Sequence, residues 1–203
     1  MIQQRAIVQV GGPKYFVHEL PDFLTSEECD TIRAIATKQG MHKSEIYGAT
    51  SDSVDNSSRL SYTAWLTTSK HALIGKISTF AAELTGYPEN HQEDLQVLQY
   101  PEGGFFKPHY DCCDGGPDEC KRMNAQGGPR RQTIIIYLND DFQGGETFFP
   151  NINVTIVPQK GKAVVFWSTD SDNNVIRESF HGGNPVKGGE KWICNKWVHP
   201  KPY

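Results

Sequence analysis

Apolar positions along this 203-residue chain change their period near residue 95. Before that point two segments repeat with helical spacing. Cys29, Ile32, Ile35 and Ala36 share one face, Thr25 and Glu28 stand at capping-box spacing ahead of them, and Gly40 stops the run. A second helix is predicted over about 70–85. Leu73, Ile77, Phe80 and Leu84 form its stripe, with Ile74 and Ala81 beside it and Gly86 at its end. Strands are predicted at 14–23, carried by Tyr15–Leu20 and ended by Pro21-Asp22, and at 60–66. Between these lies 43–58, mostly polar, which reads as a mobile loop.

From residue 95 onward the pattern is that of short strands, at 95–100, 105–111, 132–138, 153–157, 162–167, 177–181 and 192–198. Thr133–Leu138 is apolar on both faces, as a central strand covered on both sides must be. Paired glycines at 103–104, 115–116, 127–128, 144–145, 182–183 and 188–189 punctuate the series. Many short strands after two helices predict a mostly β protein with flanking helices and a distorted double-stranded β-helix, or jelly-roll, core. The length suits one catalytic domain over 1–203, with strands and supporting helices in 1–94 and the jelly roll in 95–199.

Bulk properties narrow the function. A formal net charge of −4 without a Lys/Arg cluster argues against nucleic acid as a partner. No run of eighteen apolar residues predicts a membrane span, and the first residues lack a secretory leader pattern, so the expected location is cytoplasmic. The five cysteines, 29, 112, 113, 120 and 194, form no C-x-x-C pair, which disfavours structural zinc. Cys29 and Cys194 read as buried thiols. In the polar loop, Cys112 or Cys113 can bridge to Cys120, but free thiols in a reducing cytosol are the plainer reading.

The chemistry is concentrated in His109-Tyr110-Asp111, answered by His181, with Lys191 ten residues beyond. Two imidazoles and a carboxylate hold a divalent iron on one face and leave the opposite positions open. On a strand, His109 and Asp111 point the same way, and His181 then arrives from a distant strand facing them across the barrel. A 2-oxo acid can fill two open positions and dioxygen the last. Lys191 is flanked by strand-like residues, so its stem is buried and its ammonium needs an anion. The far carboxylate of 2-oxoglutarate supplies one. Thr147 and Tyr100 offer hydroxyl donors to the same molecule. Histidines 18, 42, 71, 91 and 199 have no ligand spacing and read as surface or structural, and Trp65, Trp167 and Trp192 as core or wall.

Several segments resemble the prolyl 4-hydroxylases among the iron(II)/2-oxoglutarate-dependent dioxygenases. In order they are Gln96–Tyr100 with Pro108–Asp111, Arg130–Asp140, Gly144–Pro150, Pro158–Ala163, His181–Val186, and Glu190–Trp192 with Lys196-Trp197. Together they span about residues 20–199. The resemblance implies iron on His109, Asp111 and His181, and 2-oxoglutarate on Lys191 with Tyr100, Thr147 and Trp197 around it. It also implies Arg130 near a proline-containing peptide, ascorbate to rescue oxidised iron, and loops 43–58 and 112–128 folding over the peptide. The activity implied is 4-hydroxylation of peptidyl proline, coupled to decarboxylation of 2-oxoglutarate to succinate.

Two departures concern the substrate side. Phe106 stands where the family often has tyrosine, so one hydroxyl near the substrate is missing. Arg131 replaces a usually apolar neighbour of Arg130, so two arginines compete for the peptide face. Rival readings keep the same chemistry on lysine, a free amino acid or a small molecule, or keep only a non-catalytic peptide-binding module. Nothing in the chain fixes the oligomeric state.

Overall fold

The computed structural model describes residues 8–10, 17–44, 58–67 and 70–203. Most of the predicted loop 43–58, and Tyr15-Phe16 of the first predicted strand, lie outside the described residues. The elements run β1 (Val8–Val10), β2 (Val17–Leu20), α1 (Ser26–Gln39), β3 (His42–Lys43), β4 (Tyr62–Leu66), α2 (Ala72–Thr85), β5 (Leu95–Tyr100) and β6 (Phe106–His109). They continue with α3 (Pro117–Met123), β7 (Gln132–Tyr137), β8 (Gln143–Gly144), β9 (Thr147–Phe149), β10 (Val154–Ile156), β11 (Ala163–Trp167), β12 (His181–Gly183), β13 (Val186–Gly188) and β14 (Lys191–Val198).

Both long helices end where their sequences require. Thr25 accepts from the Glu28 amide at 3.2 Å, and the Glu28 carboxylate accepts from the Thr25 amide at 2.9 Å, which completes the capping box of α1. Gly86 closes α2 at φ 75, a left-handed conformation that costs other residues energy. The buried face of α2 is centred on Ile74, Ile77 and Ala81. Leu73, Phe80 and Leu84, expected at the centre of the stripe, flank it half-buried.

The strands form an antiparallel sheet of order β1-β2-β11-β7-β14-β5-β4-β3 and a smaller one of order β10-β9-β12-β6, with β13-β8 as a separate pair. This is the expected jelly roll. Alternation along β7 divides the core. Ile134 and Ile136 face α1 and α2, with Leu66, Val97, Val165 and Cys194 from neighbouring strands. Ile135 and Tyr137 face the interior between the sheets, where Leu98, Phe166 and Ile193 meet Phe149 and Ile156 of the smaller sheet. A strand buried on both faces has to be apolar on both.

Three predicted elements differ. The strand expected over 105–111 ends at His109, so Asp111 sits in a bend beyond it. The strand expected over 177–181 is a 3-10 turn at Arg177–Ser179, and β12 begins only at His181. Within the polar stretch 112–128, Pro117 starts the short helix α3. The free-thiol reading of the loop cysteines is also overturned. Cys113 and Cys120 are bridged, with Cα atoms 5.3 Å apart, because the turn into α3 brings them together. Cys112 instead points inward, its Sγ donating to the Ser168 carbonyl at 3.4 Å. Cys29 and Cys194 are buried free thiols, as expected. No helix among the described residues is long and apolar enough to cross a membrane.

Candidate metal and 2-oxo-acid site

β6 and β12 are antiparallel neighbours, and His109 and His181 are partners in their register. The two imidazoles therefore come from adjacent strands of the smaller sheet, not from strands facing across the barrel. A register irregularity follows directly, between His181 and Gly183. The chain then turns after His109 and brings Asp111 beneath both rings. His109 Nε2 lies 3.6 Å from Asp111 Oδ1, and His181 Nε2 lies 3.9 Å from Asp111 Oδ2. One ligand atom from each residue falls within 4.8 Å of the others.

Backbone carbonyls fix how the imidazoles are protonated. His109 Nδ1 is 2.8 Å from the Lys107 carbonyl, and His181 Nδ1 is 2.9 Å from the Ser179 carbonyl. A carbonyl only accepts, so each Nδ1 donates to it, and each Nε2, on the Asp111 side, is the nitrogen left to bind a metal. Burial pushes the His181 imidazole down to about 4, although the Asp111 charge opposes this, so the ring is neutral at physiological pH. Asp111 is also buried, which alone would raise its pKa, but the charge His181 takes up in acid, with His109 and Arg130 beside it, overcomes that and holds it far below the ordinary carboxylate range. Its Oδ2 accepts from Thr133 Oγ1 at 2.6 Å. Aromatic rings enclose the cluster. Phe106 stacks on His109 at 3.7 Å, and Phe166 and Phe149 stand 4.7 and 5.6 Å from His181. Two imidazoles and one ionised carboxylate, each oriented from behind, fit the donor set for divalent iron.

Lys191 opens β14, with only 3% of its surface exposed. Its Nζ donates to the Gly145 carbonyl at 2.6 Å and lies 5.3 Å from the Tyr100 ring and 5.7 Å from the Tyr137 ring. No salt bridge reaches it among the described residues, so a buried ammonium with three protons has one bonded acceptor. A Cβ added to Gly183 would stand 3.8 Å from this Nζ, which puts the ammonium beside the strand that carries His181. The arrangement fits an oxo acid bound to metal at one end and to Lys191 at the other. Thr147 lines the same cavity, and its hydroxyl accepts from Tyr137 at 2.7 Å. Tyr137 was not anticipated, because within an apolar run it reads only as core.

The cavity holding these residues has a volume of about 870 Å³. Every residue expected at the site lines it, including Tyr100, Phe106, Arg130, Thr147 and Trp197. Of the two competing arginines, Arg130 faces the cavity. It lies 3.5 Å over Trp197 and donates from Nε and Nη2 to the two carboxylate oxygens of Glu93 at 2.6 and 3.0 Å. Arg131 is buried elsewhere, against Asn173 and the Thr169 carbonyl. Trp65, expected in core or wall, is a wall residue, 39% exposed and 6.1 Å from Trp197.

Glu93 and Arg59 were not anticipated. Arg59 lies 4.5 Å over Phe106 and lines the cavity, its Nε donating to Ser61 at 2.8 Å. Neither residue belongs to a ligand pattern in the sequence. The one available signal was a charged residue beside a strand that covers the core.

Comparison with known proteins agrees with this geometry. The model of the 2OG-Fe(II) oxygenase superfamily matches residues 95–199. The protein named probable prolyl 4-hydroxylase 3 from Arabidopsis thaliana is 33% identical over 210 residues, covering 94% of this chain and 71% of its own. The chain belongs to the prolyl 4-hydroxylases of the 2OG-Fe(II) oxygenase superfamily. Among solved structures, the 2OG complex of the viral collagen prolyl hydroxylase from Paramecium Bursaria Chlorella virus-1 superposes on this oxygenase with a TM-score of 0.73. The two are 29% identical, and the match covers 90% of this chain and 95% of that one. A Trichoplax adhaerens prolyl hydroxylase, solved with a hypoxia inducible factor peptide, shares the fold at TM-score 0.67 and 18% identity.

Proposed function

We propose that this protein hydroxylates C4 of proline within a peptide, using iron(II), 2-oxoglutarate and dioxygen and releasing succinate and carbon dioxide. The observation that carries the reading is the His109–Asp111–His181 cluster and the unpaired Lys191 ammonium in one cavity of about 870 Å³. That volume exceeds the needs of a small dicarboxylate and leaves room for a chain segment.

The roles follow from placement. His109, Asp111 and His181 hold the iron, which supplies the redox chemistry with dioxygen and the oxo acid. Lys191 takes the distal carboxylate of 2-oxoglutarate, with Tyr100 and Thr147 beside it. Trp197, expected beside 2-oxoglutarate, lies under Arg130, so we read it with Arg130 and Phe106 as the substrate side, where stacked rings exclude water and orient the proline. Arg130 is held in place by Glu93, so its guanidinium face rests on Trp197 and does not swing across the opening.

The test is mass spectrometry of proline-containing peptides incubated with the protein, iron(II), 2-oxoglutarate, ascorbate and air. The expected result is one added oxygen on proline, absent with His109→Ala. Succinate formed without peptide oxidation would move the activity to another substrate, such as lysine, a free amino acid or a small molecule. If iron is bound but neither product forms, the protein is a peptide-binding module and the proposal is wrong.

A further inference from the structure

The segment between Asp111 and β7 contains a built feature that the oxygenase chemistry does not use. α3 is seven residues long, has no side-chain cap at Gly116 and buries none of its residues. A helix this short is not stable alone in water. Residues 113–126 are all exposed or half-buried. The segment is anchored at its two ends. Cys112 is buried at one, and at the other Gly127 and Gly128 pack against His199 and Pro200. Between these anchors, the Cys113–Cys120 bridge ties the first turn of the helix to the chain that follows Asp111.

This lightly held helix is nevertheless a wall of the site. Met123, one turn after Cys120, lines the main cavity. It also lines a smaller cavity of about 130 Å³ behind Asp111, shared with Cys113, Asn124 and Arg130. The iron ligands and Lys191 are secured differently, by the β6–β12 pairing, the Thr133 bond to Asp111 and the pairing of β14 with β5.

We propose that Cys113–Cys120 is a reversible thiol–disulfide site that sets the substrate-side wall. When it is bridged, α3 holds Met123 against the cavity and the peptide binds. When it is reduced, the helix loosens and peptide affinity falls, while iron and 2-oxoglutarate binding are kept. The identity of the peptide rests on the prolyl hydroxylase reading. In the reaction, the thiolate of a dithiol reductant attacks Cys120 Sγ, the S–S bond breaks, and Cys113 leaves as a thiolate that takes up a proton. The second thiol of the reductant then displaces Cys120. Two protein thiols form, and the dithiol is oxidised to its own disulfide. The bridge therefore reports how oxidising its surroundings are.

The test compares air-oxidised protein, protein reduced with dithiothreitol and freed of it, re-oxidised protein, and the Cys113→Ser/Cys120→Ser double variant. Alkylation of the denatured oxidised protein should label only Cys29, Cys112 and Cys194. Hydrogen exchange of 113–125 is followed by mass spectrometry. A proline peptide is titrated calorimetrically into each form, loaded with iron(II) and 2-oxoglutarate without oxygen.

Reduction should speed exchange in α3 and weaken peptide binding on the order of tenfold, from the loop constraint lost. Re-oxidation should restore both in the wild type, and the variant should match the reduced form in either state. Five labelled thiols after oxidation, unchanged exchange, or unchanged peptide affinity would each overturn the proposal. So would a parallel loss of 2-oxoglutarate affinity, which would make the bridge a support of the iron side. If no proline peptide binds the oxidised protein, the proline reading fails, and the exchange data alone decide for or against a bridged wall.

Discussion

Glu93 accepts from both Nε and Nη2 of Arg130, and the oxygen that takes Nε, Oε1, is also met by His199 Nε2 at 2.9 Å. Burial pushes the Glu93 carboxyl up, but the Arg130 charge and the bonds from His199 and Arg130 outweigh it, so its pKa lies below the ordinary 4.5. Glu93→Gln strands a guanidinium that is largely enclosed, at an expected cost of about 3 kcal/mol in urea unfolding at pH 7. The stabilisation from a depressed carboxyl is complete above its ordinary value and is lost as pH falls through the folded one. Wild-type stability should therefore fall more steeply below about pH 4.5 than that of Glu93→Gln. Equal unfolding midpoints at pH 7 would show that the pair adds nothing net.

Lys191 gives the site a pH limit from the alkaline side. Burial lowers its ammonium to about 8, opposed only in part by Glu146. 2-Oxoglutarate requires the charged form, so its affinity should be flat below pH 8 and should weaken above it by up to about tenfold per pH unit. Lys191→Met should raise the dissociation constant about 10- to 100-fold and flatten that profile, leaving iron binding intact. A wild-type profile that stays flat to pH 9.5 would remove Lys191 as the anchor.

Gly145 carries a second test of the same anchor. Its carbonyl accepts the hydrogen bond from Lys191 Nζ, its φ is +69, and an added Cβ would lie 2.9 Å from Phe142 and 3.1 Å from the lysine stem. Gly145→Ala should cost about 1–2 kcal/mol in stability through backbone strain. It should also weaken 2-oxoglutarate more than peptide, because the stem must move. Calorimetric titration of both ligands distinguishes this from a general loss of fold.

The parts of the fold legible in the sequence were those set by local pattern. The capping box of α1, the glycine after α2 and the two-sided burial of β7 each follow from residues close together in the chain. The ligand set was legible because its chemistry is unusual. What escaped depended on contacts remote in sequence. The strand carrying His109 stops before Asp111, so their shared orientation comes from a bend and not from strand alternation. β12 was displaced because Arg177–Ser179 turns before pairing begins. Glu93 was not anticipated because its partners, Arg130 and His199, lie 37 and 106 residues away.

Thr133 shows how such remote partners tune the centre. Its hydroxyl donates to Asp111 at 2.6 Å and stands 3.3 Å from Ser168 Oγ, so it can accept from Ser168 while it orients the carboxylate. Thr133→Val preserves the shape of the side chain but leaves Asp111 Oδ2 without this donor. An outer-shell bond to a ligand is typically worth about 10- to 100-fold in metal affinity. Iron(II) titration against a competing chelator should show a loss of that order, with Thr133→Ser near wild type. The Lys191 anchor lies apart from this bond, so binding of 2-oxoglutarate to the fully iron-loaded variant should change little. If Thr133→Val holds iron as tightly as the wild type, Asp111 is positioned by its bend alone, and the hydroxyl serves only to satisfy a buried oxygen.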